Sequence, residues 1–297
     1  MASLSQWIEG ARPRTLPNAV APVLAGTGAA AWVGGEAWWK AALALVVSIS
    51  LIIGVNYAND YSDGIRGTDD DRSGPLRITA SGLAQPKDVK LAAFVAFGVA
   101  GLFGIVLSVL AGAWWLILVG AACIAAAWFY TGGNNPYGYI GLGEVSVFIF
   151  FGLVAVMGTE FVQTGFLSWE GLLVAVAIGA ISASVNLVNN IRDIPTDSAS
   201  GKQTIAVRLG DSRARTLFTV LTCVPFVVSV LLALVYAPAL VGLVALPLAI
   251  AAILKVRSGA TGTALIPVLG LNGKAMLAWA VLTAVALAFG GMVVPYA

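Results

Sequence analysis

"GVNYANDYSDGIRGTDDDRSGP", residues 54–75, sets a cluster of aspartates and arginines directly behind a long apolar run. The chain around it has 297 residues, 59% hydrophobic and only 10% charged, with a mean hydropathy of +0.93. A soluble domain carries roughly 25% charged residues, so this composition is that of a membrane protein. Apolar runs of about 18 residues or more fall near 16–33, 38–58, 89–111, 113–130, 140–160, 170–190, 216–236, 239–255 and 275–295. They predict an all-α integral membrane protein of about nine transmembrane helices in one polytopic domain. The first run is the weakest, being rich in Gly and Ala with two prolines. The opening residues, "MASLSQWIEGARPRTLPN", lack the apolar core and small-residue cleavage site of a signal peptide.

Basic residues orient the bundle. With nine spans and the N-terminus inside, segments 1–15, 59–88, 131–139, 191–215 and 256–274 share one face. Arg12, Arg14, Arg66, Arg72, Arg77, Lys202 and Arg208 lie there, and the positive-inside rule makes that face cytoplasmic. The expected location is the plasma membrane. Eleven of the fourteen acidic residues fall on the same side, which the rule does not explain. Acids beside bases point to metal and anion chemistry at the inner face.

What the metal can be is narrowed by absences. The chain has no histidine, which excludes haem ligation through His, His-based zinc and His acid–base chemistry. Cys123 and Cys223 lie within separate apolar runs and suit packing; no disulfide or thiolate site is indicated. A resident ion must take oxygen ligands, as magnesium or calcium does.

A second stretch, "SVNLVNNIRDIPTDSASGKQT" (184–204), aligns with the first without gaps at an offset of 130. Asn56 matches Asn186, Asn59 matches Asn189, Asp60 matches Asn190 and Asp63 matches Asp193. Such repeats build membrane proteins whose site lies between two halves, here about 1–135 and 136–297. Helical spacing puts Asn56 with Asp60, and Asn189 with Asp193, on common faces. Pro195 disfavours helix before it, so the sixth span should end near Asp193, leaving Asp197 on a loop or a new helix start. Carboxylates in such numbers need positive charge among them, and magnesium bridging carboxylates to phosphate oxygens supplies it. Arg66, Arg72, Arg77, Lys202 and Arg208 would contact the phosphates.

At these residues the sequence resembles the UbiA-type intramembrane prenyltransferases. "NxxNDYxDGxxGxD" (56–69), followed by "RxGPxR" (72–77), is similar to their first Asp-rich motif, and "NNxRDxxxDxxxGKxT" (189–204) to the second. "WIEGARPRTLPNAVAPVLAGT" (7–27) and "YTGGNNPYGYIGLGE" (130–144) resemble the branch that prenylates 1,4-dihydroxy-2-naphthoate on the way to menaquinone. The resemblance implies helices around a central cavity open sideways to the lipid bilayer, with both motifs at its cytoplasmic mouth. It implies Mg2+ as cofactor and a polyprenyl diphosphate and the naphthoate as partners, with no role for nucleic acid. The allylic carbon–oxygen bond ionises, the ring attacks, and carbon dioxide leaves, giving demethylmenaquinone. Carried over, Asn56, Asp60 and Asp63 match the first motif and Asn189, Asp193 and Asp197 the second, as catalytic or metal-holding groups. Lys202 matches the lysine that follows. Gly67 stands where many members have a further aspartate, so Asp69 is the nearest substitute, with Asp70 and Asp71 beside it. An aromatic face can steady a cation, and Tyr139 is the candidate.

Three other readings remain open at the sequence level. A related prenyltransferase could use hydroxybenzoate, homogentisate, a porphyrin or a lipid alcohol. A CDP-alcohol phosphatidyltransferase also clusters aspartates at span ends, but "DGIRGTDDD" lacks the spacing expected of it. A cation or substrate transporter would place acids along its pathway, whereas here they gather at one face.

Overall fold

The structure, a computed structural model, describes residues 2–67 and 76–293. Among these residues there are helices and no strands. In chain order the helices are α1 (Leu4–Gly10), α2 (Pro17–Trp32), α3 (Trp38–Arg66), α4 (Pro86–Leu110), α5 (Leu116–Phe129) and α6 (Gly143–Thr164). They continue as α7 (Trp169–Arg192), α8 (Ile194–Ala199), α9 (Ile205–Leu209), α10 (Asp211–Ala233), α11 (Ala237–Arg257) and α12 (Gly262–Val293). Seven of them, α3, α4, α6, α7, α10, α11 and α12, are long and apolar enough to cross a membrane. The protein is therefore a multi-pass membrane protein. The nine expected runs resolve, among the described residues, into these seven and two shorter helices, α2 with 16 residues and α5 with 14.

The weak hydropathy of the first run has a packing cause. Twelve of the sixteen residues of α2 are buried, because other helices, and not lipid, surround it. Without a hydrophobic drive between helices in lipid, close contact relies on small residues. A Cβ on Gly28 would lie 2.4 Å from Ala284 Cα in α12, and one on Gly152 of α6 would lie 2.5 Å from Gly179 Cα in α7. Polar groups join helices elsewhere: Asn272 Nδ2 donates to Ser184 Oγ (2.6 Å) and Trp279 Nε1 to Ser229 Oγ (2.9 Å).

α7 is the central post, with 72% of its apolar window buried against 28% for α4. It ends at Arg192, as Pro195 requires, and Asp197 falls in the next short helix, α8. α3, at 1.5 Å per residue about 44 Å long, outruns a hydrocarbon core of about 30 Å. Its last turns, which carry Asn56 to Asp63, therefore project to the bundle's polar end. Gly67, with φ of 71°, supplies the left-handed cap that stops it. Asp69, Asp70, Asp71 and Arg72 lie outside the described residues.

Replacing Gly28 by alanine should drive Cβ into Ala284 and lower stability by about 1–3 kcal/mol, as overpacking does. Gly98→Ala, at a helical position with nothing within 4 Å, should hold or raise it. Thermal unfolding of the two variants in detergent checks the contrast.

Candidate active site

Two chambers meet inside the bundle. The larger, about 340 Å3, is lined mainly by apolar side chains of α2 to α7, among them Val47, Leu51, Leu107, Phe150, Phe151 and Val154. Within α6, residues Phe148–Met157 form a π-helical stretch, and its adjacent Phe150 and Phe151 both reach the chamber wall. The smaller chamber, about 150 Å3, is polar and takes in the ends of α3 and α7 with their following loops. Arg12, Thr15, Asn18, Asn59, Tyr130, Asn186 and Asn189 line both, so they form the seam between an apolar and a charged compartment.

Asp63, Asp193 and Asp197 all line the polar chamber and are all buried. Tyr139 donates its hydroxyl to Asp63 Oδ1 at 2.6 Å, with Arg77 Nη2 3.7 Å and Lys202 Nζ 4.0 Å from the same carboxylate. Lys202 also lies over the Tyr139 ring, 4.4 Å from its centroid. Asp193, capping α7, is held by Arg192 through Nε (2.6 Å) and Nη2 (2.7 Å). Among the described residues the chamber wall counts five cations (Arg12, Arg14, Arg77, Arg192, Lys202) against three carboxylates. Such a balance receives an anion; the carboxylates within it suit a hard cation carried with that anion.

The donor set fits Mg2+. It is all oxygen, and no three acidic side chains among the described residues converge tightly enough to hold an ion by themselves. Magnesium keeps waters and shares phosphate oxygens, so one or two carboxylates per ion suffice.

Four expected site residues point elsewhere. Asp60 lines neither chamber: its carboxylate accepts the backbone N–H groups of Ile78 (3.0 Å) and Thr79 (2.9 Å), tying the returning loop to α3. Asn56 faces the apolar chamber and donates to Ala11 O and Thr15 Oγ1, both at 2.9 Å. Arg66 donates to the carbonyls of Thr131 and Gly133, and Arg208 Nε to Gln203 O (3.1 Å); neither lines the polar chamber. These arginines brace loops. Asn189, Arg77, Tyr139 and Lys202 line the polar chamber.

Sequence reasoning missed Asn59, Arg192 and Arg12. Asn59 was in plain view as the partner of Asn189 in the repeat, and its Oδ1 accepts from Thr131 Oγ1 (2.8 Å). Arg12 left no periodic signal. It is the only non-glycine residue with positive φ among those described, at 55°, a conformation that costs about 1 kcal/mol. Pro13 after it and the Thr15 hydroxyl on its carbonyl (2.8 Å) hold it there.

Both the sequence and the fold have known relatives. A model described as the UbiA prenyltransferase family matches residues 19–261. The chain belongs to this family. A Mycobacterium tuberculosis protein named 1,4-dihydroxy-2-naphthoate octaprenyltransferase is 59% identical over 290 residues, covering 98% of this chain and 99% of its own. A Mycobacterium leprae protein of the same name is 57% identical, covering 99% of each. Among solved structures, a UbiA homolog from Archaeoglobus fulgidus bound to DMAPP and Mg2+ superimposes with a TM-score of 0.66 at 13% identity, covering 96% of this chain and 99% of that one. The last likeness is one of fold.

Asp60 and Asp63 are thus separable by experiment. Asp60→Ala should release the loop, with a stability loss of about 3 kcal/mol for two hydrogen bonds to a charged acceptor and faster hydrogen exchange at Ile78 and Thr79. Asp63→Asn, which keeps both of those hydrogen bonds and loses only the Arg77 contact beside them, should speed that exchange less.

Proposed function

We propose that the protein transfers a polyprenyl group from an allylic polyprenyl diphosphate to 1,4-dihydroxy-2-naphthoate, releasing diphosphate and carbon dioxide. One observation carries this reading: a cation-rich polar chamber holding Asp63, Asp193 and Asp197 opens directly into a mainly apolar one. The two mycobacterial relatives bear the name of that activity at 59% and 57% identity over nearly the whole chain, which supports the same acceptor here.

In this reading the diphosphate head lies in the polar chamber against Arg77, Arg192 and Lys202, with Arg12 and Arg14 at its entrance. Asp63, Asp193 and Asp197, assisted by the carboxamides of Asn59 and Asn189, would hold Mg2+. When bound, the ion supplies charge neutralisation that makes diphosphate a competent leaving group. The basic side chains add preorganised positive charge where negative charge develops as the carbon–oxygen bond breaks. The prenyl tail lies among Leu51, Leu107, Phe150 and Val154, a wall that keeps water from the allylic cation. Tyr139, held by its hydroxyl on Asp63, turns its ring toward Lys202 and orients the ammonium for phosphate.

Asp60, Asn56, Arg66 and Arg208 would support this site without touching the diphosphate. The finer topology belongs to the same proposal: α2 and α5 complete nine spans, residues 1–135 and 136–297 form two related halves, and the polar chamber faces the cytoplasm across the plasma membrane. Basic residues at the ends of α3, α7, α10 and α11 support that orientation.

Purified protein given 1,4-dihydroxy-2-naphthoate, a short allylic diphosphate and Mg2+ should yield a prenylated, decarboxylated product by mass spectrometry. EDTA should abolish it, and Asp63→Asn should reduce turnover by about 100-fold. Product with hydroxybenzoate but not with the naphthoate would reject the acceptor and keep the transfer chemistry.

A further inference from the structure

Glu144 is a buried carboxylate that the chemistry above leaves unused. It stands at the start of α6, 4% exposed, and among the described residues no lysine or arginine pairs with it. Its Oε1 accepts a 2.6 Å hydrogen bond from Asn190 Nδ2, while Oε2 has no hydrogen-bond partner. A carboxylate without a cation is costly in such surroundings, and ionisable groups within membrane bundles usually mark function.

The seam between the chambers gives that cost a purpose. Tyr130 donates its hydroxyl to Asn186 Oδ1 at 3.4 Å, and both residues line both chambers. The Asn186 amide nitrogen interacts with Glu144 but short of a hydrogen bond of ordinary geometry, and it is buried without another partner. Gly143 permits the closeness: a Cβ there would lie 3.0 Å from Tyr130 Oη and 3.1 Å from Asn186 Nδ2. The second carboxamide, Asn190, spends its N–H on Glu144, which fixes which end of the amide turns to the polar chamber it lines. The seam thus offers the Asn186 N–H as a donor and, since Tyr130 spends its own proton on Asn186 Oδ1, the Tyr130 oxygen as an acceptor. That pair complements a hydroxyl group on a flat ring, which both donates and accepts.

We infer that Tyr130 and Asn186 form the subsite for a ring hydroxyl of the aromatic acceptor, with Glu144 as the positioning residue that orients Asn186 and Asn190. The inference rests on the prenyl-transfer reading. With the diphosphate on the polar side and the tail on the apolar side, the reactive carbon of the donor must lie at the seam. The attacking ring has to be presented there.

The test uses the full-length protein and varies acceptor and donor separately. Asn186→Ala should raise the acceptor KM about tenfold, the worth of one hydrogen bond to a buried partner, with the donor KM within about twofold. Glu144→Gln should do the same and Glu144→Asp should recover part of the loss. Naphthoates lacking one hydroxyl supply a readout that general damage would not move. One of the two possible deletions should cost the wild type about tenfold in kcat/KM and cost Asn186→Ala nothing further. An unchanged acceptor KM, a donor KM rising in parallel, or intact discrimination between the analogues in Asn186→Ala would overturn the inference while prenyl transfer stands. Failure of the wild type to prenylate any naphthoate would instead remove the reading beneath it. Should the Glu144 variants not fold, Asn186→Ala with the analogues still decides.

Discussion

Asp63 is 4% exposed, so protein groups carry most of its solvation, and they come from three separate segments. Arg77 arrives on the loop returning from α3, Tyr139 on the connection between α5 and α6, and Lys202 on the loop after α8. Removing one partner of a buried charge leaves the other uncompensated, at about 3–5 kcal/mol. The polar chamber is therefore closed by its own chemistry: the carboxylate draws in the cations that line it. A diphosphate entering with its metal would exchange those contacts for stronger ones of the same kind, without rebuilding the mouth.

The apolar chamber depends on a different constraint. Helices in lipid gain little by burying bulk against one another, so walls are built where backbones approach, and space is left where large side chains stand apart. Gly28 against Ala284 and Gly152 against Gly179 bring α2 to α12 and α6 to α7. By contrast α5 has no buried residue at all; one side faces outward and the other faces the chamber. An apolar room beside a charged one results from these two packing regimes meeting at the seam.

Much of this was legible in the residues. Hydropathy found every long helix, and Pro195 marked the end of α7. The two motifs placed Asp63, Asp193 and Asp197 in one site. The length of α5 was not legible, since the apolar run continues through Trp114 and Trp115 where the helix does not. Nor could composition sort the arginines. A basic residue at the inner face satisfies the same orientation rule whether it meets a phosphate or a carbonyl. Arg66 and Arg208 took carbonyls because the loops 131–133 and 203–208 present them. Asn59 and Asp60 are adjacent on α3, and it is the neutral one that lines both chambers while the charged one turns to the backbone of the returning loop.

Positions 60 and 190 show how a repeat can keep a spacing and change its chemistry. At 60 the facing groups are two backbone N–H donors, and a carboxylate satisfies both at once. At 190 the facing group is itself a carboxylate, Glu144, 2.6 Å away. An aspartate there would set two negative charges against each other, so the helix presents an amide. Beside each motif a negative charge lies just outside the polar chamber; at the first it is on the motif helix, at the second on α6. That displacement frees the second motif to line the seam with carboxamides, and it is why two stretches of matching spacing furnish different walls of the chambers.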